Sequence, residues 1–141
     1  AEIASRAGLK KVIAFNVGGS TTEVSILEGG VPSIPSAMSL GNHSFDVSAI
    51  DVSIAEVGGG SIAWIGKDGN LFVGPLSAGS DPGPMCFGKG AGEPTVTDAL
   101  LFLGYLPESA AGAELILSRE RAEDGIGAIA RKLDISPREA A

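Results

Sequence analysis

The segment Asn16-Val17-Gly18-Gly19-Ser20-Thr21-Thr22-Glu23 holds the densest set of residues suited to chemistry. A phosphate approached by backbone N–H groups needs small residues, so that the chain can come close and curl around it. Gly18 and Gly19 supply that room, and Ser20, Thr21 and Thr22 add hydroxyl donors. No Gly-Lys-Thr follows, so this is not the Walker arrangement. The bland alternative is a glycine-rich hairpin turn with polar dressing, and the residues alone leave both readings open. Gly58-Gly59-Gly60-Ser61 forms a second cluster. Three consecutive glycines cost backbone entropy, which either a ligand or close packing must offset. The third is Asp81-Pro82-Gly83-Pro84-Met85-Cys86. Asp81 would orient a metal ion or a water, or close an Asx-turn on nearby N–H groups. Cys86 has no sequence neighbour of the His or cationic kind that makes a thiolate. His43 is the sole histidine, whereas zinc wants several His or Cys ligands. No residue is singled out as catalytic or as a metal ligand on these grounds.

The elements that must position these clusters follow from periodicity. Glu2 to Leu9 reads as a helix tail stopped by Gly8. Val12-Ile13-Ala14-Phe15 is a short apolar run and reads as a buried strand entering the glycine turn. Glu23 to Leu27 alternates up to Gly29-Gly30 and should pair back as a hairpin. Val31 to Phe45 is poorly patterned, with extended segments and loops expected. Ala49 to Val57 is β-branched and apolar, a further strand. Ile62–Ile65 and Leu71–Val73 flank Gly66-Lys67-Asp68-Gly69-Asn70, a strong hairpin signal, with Trp64 as packing. Pro75 to Pro94 lacks periodicity and is long for a loop; long structureless loops are often functional. Thr95 to Tyr105 reads as a helix capped by Thr95 or Thr97, with Asp98 favouring its N-terminal end and Ala99, Leu100 and Leu103 as its stripe. Ser118 to Leu133 reads as a second helix, with Ile126, Ile129, Ala130 and Leu133 on one face. Ser136-Pro137-Arg138-Glu139 carries a capping box and a proline at the first helical position.

Composition bounds the function class. The 141 residues fit one domain or a lobe of a larger one, and 44% apolar residues suffice for a core. Charged residues are 19%, low enough to predict that further chain or a partner covers part of the surface. The net charge of −7 disfavours nucleic acid and anionic membranes, since both want clustered Lys and Arg. No apolar run approaches the ~18 residues of a membrane helix. A single cysteine forms no internal disulfide, and a reducing cytoplasm is the expected setting.

The same residues resemble the hydantoinase A / 5-oxoprolinase family. Val12 to Ser25 is similar to its glycine loop, and Gly58-Gly59-Gly60-Ser61-Ile62-Ala63-Trp64 to its triple-glycine segment. Ser77-Ala78-Gly79-Ser80-Asp81-Pro82-Gly83-Pro84 and Glu93-Pro94-Thr95-Val96-Thr97-Asp98-Ala99 match two further segments. The four occur in the family's order and approximate spacing, which is far more specific than any one alone. The resemblance implies an α/β fold of the actin-like, ribonuclease H-like ATPase kind, a mixed sheet with flanking helices. Residues 1–141 would be a single partial domain, with an N-terminal lobe and a C-terminal remainder elsewhere. It implies ATP and Mg²⁺ as cofactors, neither required for folding. The activity implied is ATP-dependent opening of cyclic amides of the hydantoin or 5-oxoproline type, by phosphate activation of a substrate oxygen. Asn16, Gly18, Gly19, Ser20, Thr21 and Thr22 would cradle phosphate, and Gly58, Gly59, Gly60 and Ser61 would line the same cleft. Asp81 and Asp98 would belong to the substrate-side loop. Partners implied are a small cyclic amide or ketone, a B-type hydantoinase subunit, and further copies in an oligomer.

Three positions depart from the family pattern. Asn16 stands where the family has Asp, Glu23 where Asp is usual, and Ser53 where a His is found. An amide binds a hard cation less strongly than a carboxylate. A non-catalytic nucleotide-binding or scaffolding relative is therefore the alternative reading, beside an ATP-dependent ketone carboxylase subunit.

Overall fold

The computed structural model describes residues 1–109 and 115–141. The chain, read from sequence as one partial domain, divides into two compact units, 1–17 with 22–55 and 18–21 with 56–141.

The first unit starts with helix α1 (Glu2–Arg6). It ends just before Gly8, whose φ of +66° suits glycine. Strand β1 (Lys11–Val17) pairs antiparallel with β2 (Thr22–Glu28), from Lys11 opposite Glu28 to Val17 opposite Thr22. The expected hairpin is therefore present, two or three residues longer than the apolar run. Strands β3 (Val31–Pro32) and β6 (Ser53–Ala55) both pair with β2. Between them, β4 (Met38–Leu40) and β5 (His43–Phe45) form a separate small ladder. The strand expected over 49–57 shrinks to three residues.

Two expectations are corrected here. The sheet is not mixed: every pairing among the described residues is antiparallel. The links between paired strands contain no helix, and parallel pairing needs a crossover of about a dozen residues or more, usually helical. The β1 run is also not buried on both sides. Ile13, Phe15 and Val17 share a face with Ile26 and are 68%, 70%, 55% and 58% exposed. Only the opposite face is lined, where Val12, Ala14 and Leu27 border a hollow of about 260 Å³ with Ile3, Ala4 and Leu9.

In the second unit, β7 (Ser61–Ile65) and β8 (Leu71–Ser77) make an antiparallel hairpin. Its turn is set by Asp68, whose carboxylate accepts from Asn70 N (3.2 Å) and Asn70 Nδ2 (2.7 Å). Those bonds, the side-chain one first, hold the Asp68 carboxyl below its usual range. Trp64 stacks on Phe72 with ring centroids 4.9 Å apart, and its Nε1 donates to Gly74 O at 2.8 Å. The proline-rich stretch contributes the end of β8, then a 3₁₀ helix at Met85–Phe87.

Helix α2 (Val96–Phe102) follows, then α3 (Arg119–Leu133) and α4 (Pro137–Ala140). All three starts read from sequence are present. Thr95 and Asp98 form a capping box, as do Ser136 and Glu139, and Ser118 Oγ accepts from Arg121 N at 3.3 Å. On α3 the buried face is Ala122, Gly125, Ile126, Ile129 and Ala130, as the 3.6-residue period requires. On α2 the buried positions are Asp98 and Leu101, not the expected Ala99, Leu100 and Leu103. Leu101 turns inward onto Cys86 and Ala122, the centre of this unit's core, with Phe87, Leu106 and Leu117 around it. Among the described residues no helix is long and apolar enough to cross a membrane.

Candidate functional site

The tight turn Gly18–Thr21 belongs to the second unit. Gly18 N donates to Thr21 O at 2.8 Å and closes it. The triple glycine lies directly against it. Gly59 N donates to Gly18 O at 2.9 Å and Gly60 N to Gly19 O at 2.6 Å. A Cβ on Gly58 would stand 2.6 Å from Gly18 O and 2.9 Å from Gly19 O; one on Gly60 would stand 2.9 Å from Gly19 O. The glycines are there because two backbones touch, a distance no side chain allows.

This contact decides between the two readings of Gly58–Ser61. Their amides are consumed inside the protein: Gly58 N goes to Ser61 Oγ (2.9 Å), Gly59 N and Gly60 N to the turn, and Ser61 N to Gly58 O (3.0 Å). Ser61 has no exposed surface. The cluster is a packing clamp, and of its members only Gly60 reaches the adjoining cavity.

The turn has the opposite balance. The N–H groups of Gly19, Ser20 and Thr21 make no hydrogen bond among the described residues. Ser20 Oγ donates to Ser77 Oγ at 3.0 Å, and Ser77 Oγ also accepts from Gly79 N at 3.2 Å. Ser20 therefore offers its backbone N–H more than its hydroxyl. The neighbouring cavity, about 510 Å³, is bordered by Gly19, Ser20, Gly60, Ser80, Phe87 and Thr97, with no carboxylate among the described residues of its wall. Backbone donors around a wall without negative charge suit an anion.

Helix α2 holds the clamp from the other side. Thr97 donates from both N and Oγ1 to Gly59 O, each at 2.8 Å. Asp98 was assigned to the substrate side from sequence, but the structure buries it completely. Its carboxylate accepts from Cys86 N (2.7 Å), Thr95 N (2.8 Å), Thr95 Oγ1 (2.9 Å) and Met85 N (3.1 Å). Four donors converge on it because the 3₁₀ helix and the start of α2 both turn their unpaired N–H groups inward. Asp98 is a structural tie between the proline-rich stretch and α2. Burial, then the bond and charge of Asp98, push the Cys86 thiol up to about 12. Cys86 is thus a protonated core residue.

The remaining assignments separate. Asp81 is exposed and borders a different hollow of about 340 Å³ with Glu93. Asn16 and Thr22 belong to the first unit. Asn16 lies opposite Glu23 on the paired strands, its Nδ2 3.5 Å from Glu23 Oε2. His43 sits in exposed β5. Among the described residues no three His, Cys, Asp or Glu side chains gather as a metal site. Sequence reasoning missed Ser77, Ser80 and Thr97 as neighbours of the turn; their hydroxyls carry no pattern that marks them.

Comparison with known proteins gives one consistent answer. Residues 1–141 match the family described as hydantoinase/oxoprolinase. The caprolactamase subunit alpha of Pseudomonas jessenii is 41% identical over 141 residues, 99% of this chain and 20% of that protein. The acetophenone carboxylase gamma subunit of Aromatoleum aromaticum is 39% identical over 145 residues, 100% of this chain and 20% of that protein. The crystal structure of the ATP-dependent caprolactamase from Pseudomonas jessenii superposes with a TM-score of 0.83 at 41% identity, over 98% of this chain and 20% of that one. The chain spans about a fifth of the length of these relatives.

Proposed function

The chain belongs to the hydantoinase/oxoprolinase family, and from that membership we propose that it forms part of an ATP-dependent enzyme that opens cyclic amides by phosphate activation. The observation that carries the phosphate assignment is the turn whose three amides, Gly19, Ser20 and Thr21, are unpaired among the described residues, beside a cavity whose described wall holds no carboxylate. Donors fixed in advance by the Gly58–Gly60 clamp and by Thr97 stabilise transferring phosphate without reorganising. Bound ATP supplies the phosphoryl group; the protein's part is to orient it and exclude water. Mg²⁺, if it accompanies the nucleotide, would neutralise phosphate charge there. The fold proposed for the intact protein is of the actin-like ATPase kind, and its setting the cytoplasm. A second, B-type subunit is the proposed partner, in line with two relatives named as subunits.

A second reading, an ATP-dependent ketone carboxylase subunit, is favoured by the acetophenone carboxylase relative. Bicarbonate-dependent ATP turnover with ketones, and none with lactams, hydantoins or oxoproline, selects it. The reading as a non-catalytic nucleotide binder rests on Asn16 and Ser53. The deciding experiment is calorimetric titration of the full-length protein with Mg-ATP, beside its Asn16→Asp variant. Binding by the parent supports the phosphate assignment; binding without hydrolysis by either protein selects the non-catalytic reading, whereas turnover gained by the variant marks a damaged enzyme. No binding by either refutes the assignment.

A further inference from the structure

The cavity beside the Gly18–Thr21 turn is walled by amides, hydroxyls and one aromatic ring, all neutral. A phosphoryl group carries charge that neutral donors share but do not cancel. Lys89 is the cation that reaches this wall. Its Nζ donates to Ser80 O at 3.1 Å and lies 5.9 Å from the centroid of the Phe87 ring. Ser80 and Phe87 both border the cavity. An ammonium has three N–H donors, so the Ser80 bond leaves two for a ligand. Gly88 and Gly90 flank Lys89 with φ of +73° and +91°, backbone angles that suit glycine, and the lysine between them is exposed. Among the described residues no other cation is hydrogen-bonded to the cavity wall. Arg119 is engaged with Glu108 and Phe102 O instead, and Lys67 lies in the β7–β8 turn.

We propose that Lys89 is the charge-bearing contact for the phosphate chain of a nucleoside triphosphate in this cavity. The proposal rests on the phosphate assignment of the turn and adds to it the residue that selects for anionic charge. A lysine serves this role as a compact point charge with rotatable donors. Its hold on Ser80 O and Phe87 keeps it close to the site.

The test is calorimetry on the full-length protein with Mg-ATP, adenosine and tripolyphosphate. Lys89→Met should weaken Mg-ATP and tripolyphosphate by about tenfold or more at low ionic strength. It should leave adenosine unchanged and flatten the salt dependence of ATP binding. Lys89→Arg should stay within about threefold of the parent, because charge is kept. The side chain is exposed, so the variants should melt as the parent does. A parallel readout on the unaltered protein is acetylation by an amine-reactive ester, from which Mg-ATP should shield Lys89 but not Lys67. A parent that binds Mg-ATP, with Lys89→Met binding it equally and no shielding, overturns the Lys89 proposal alone. A parent that binds no Mg-ATP or tripolyphosphate overturns the phosphate assignment and this proposal with it.

Discussion

Replacing Gly58 by alanine tests the clamp with a single methyl group. The added Cβ would stand 2.6 Å from Gly18 O, 2.8 Å from Gly19 C and 2.9 Å from Gly19 O. All three atoms are backbone, so no flexible side chain can swing away. Relief requires the turn and the triple glycine to separate by several tenths of an ångström, stretching the bonds from Gly59 N and Gly60 N. Overpacking of this kind costs about 1–3 kcal/mol. The loss should be local, read as faster amide hydrogen exchange at Gly59 and Gly60, by about 5- to 150-fold. Gly19→Ala is the control, since a Cβ there meets nothing within 4 Å. It adds the same methyl group on the opposite backbone of the same contact and should leave exchange at both amides nearly unchanged. Unaltered exchange in Gly58→Ala, or equal acceleration in Gly19→Ala, would refute the packing account of the cluster.

Two other residues give equally direct tests. Asp98→Ala strips the acceptor from Met85 N, Cys86 N, Thr95 N and Thr95 Oγ1; buried donors left unpaired should lower stability by at least ~3 kcal/mol, and a loss under about 1 kcal/mol in urea unfolding contradicts the tie. Cys86 should resist alkylation at about pH 8, with a thiolate population roughly a thousandfold below that of an ordinary thiol, and labelling at the rate of the unfolded chain would disprove its burial. Because folding favours the protonated thiol, its contribution to stability is full below 9.0 and is lost as pH rises from 9.0 towards about 12. A Cys86→Ala variant should lack that share of the alkaline decline.

Local signals carried most of the elements. Thr95 with Asp98 and Ser136 with Glu139 announce helix starts because capping is settled within four residues. The Asp68-Gly69 turn and the alternation of Glu23–Leu27 likewise encode their hairpins nearby. What sequence could not reveal depends on residues distant along the chain. Nothing in Gly58-Gly59-Gly60 says that its neighbour is Gly18-Gly19, so ligand and packing remained equal candidates. Asp98 looked like a helix-start acid and a loop acid at once; only the arrival of Met85 N and Cys86 N shows that its oxygens are all engaged. Lys89 drew no notice because a lone lysine between glycines has no pattern until Ser80 and Phe87 stand beside it. The face of Ile13, Phe15 and Ile26 reads as core from its apolar residues yet is exposed, because periodicity shows which residues share a face and not what lies against it.

The separation of the turn from what supports it also sets a timetable during synthesis. The β1–β2 hairpin joins neighbours and can form as soon as it leaves the ribosome. The turn's other partners come later, since Ser20 reaches Ser77 across 57 positions and Gly59 waits 38 more for Thr97. At roughly 5–20 residues per second, Ser77 is added about 3–11 s after Ser20. For that interval the nascent protein displays a glycine turn without Ser77 beside it. The surroundings of the turn are therefore completed late, when α2 emerges and Thr97 locks Gly59.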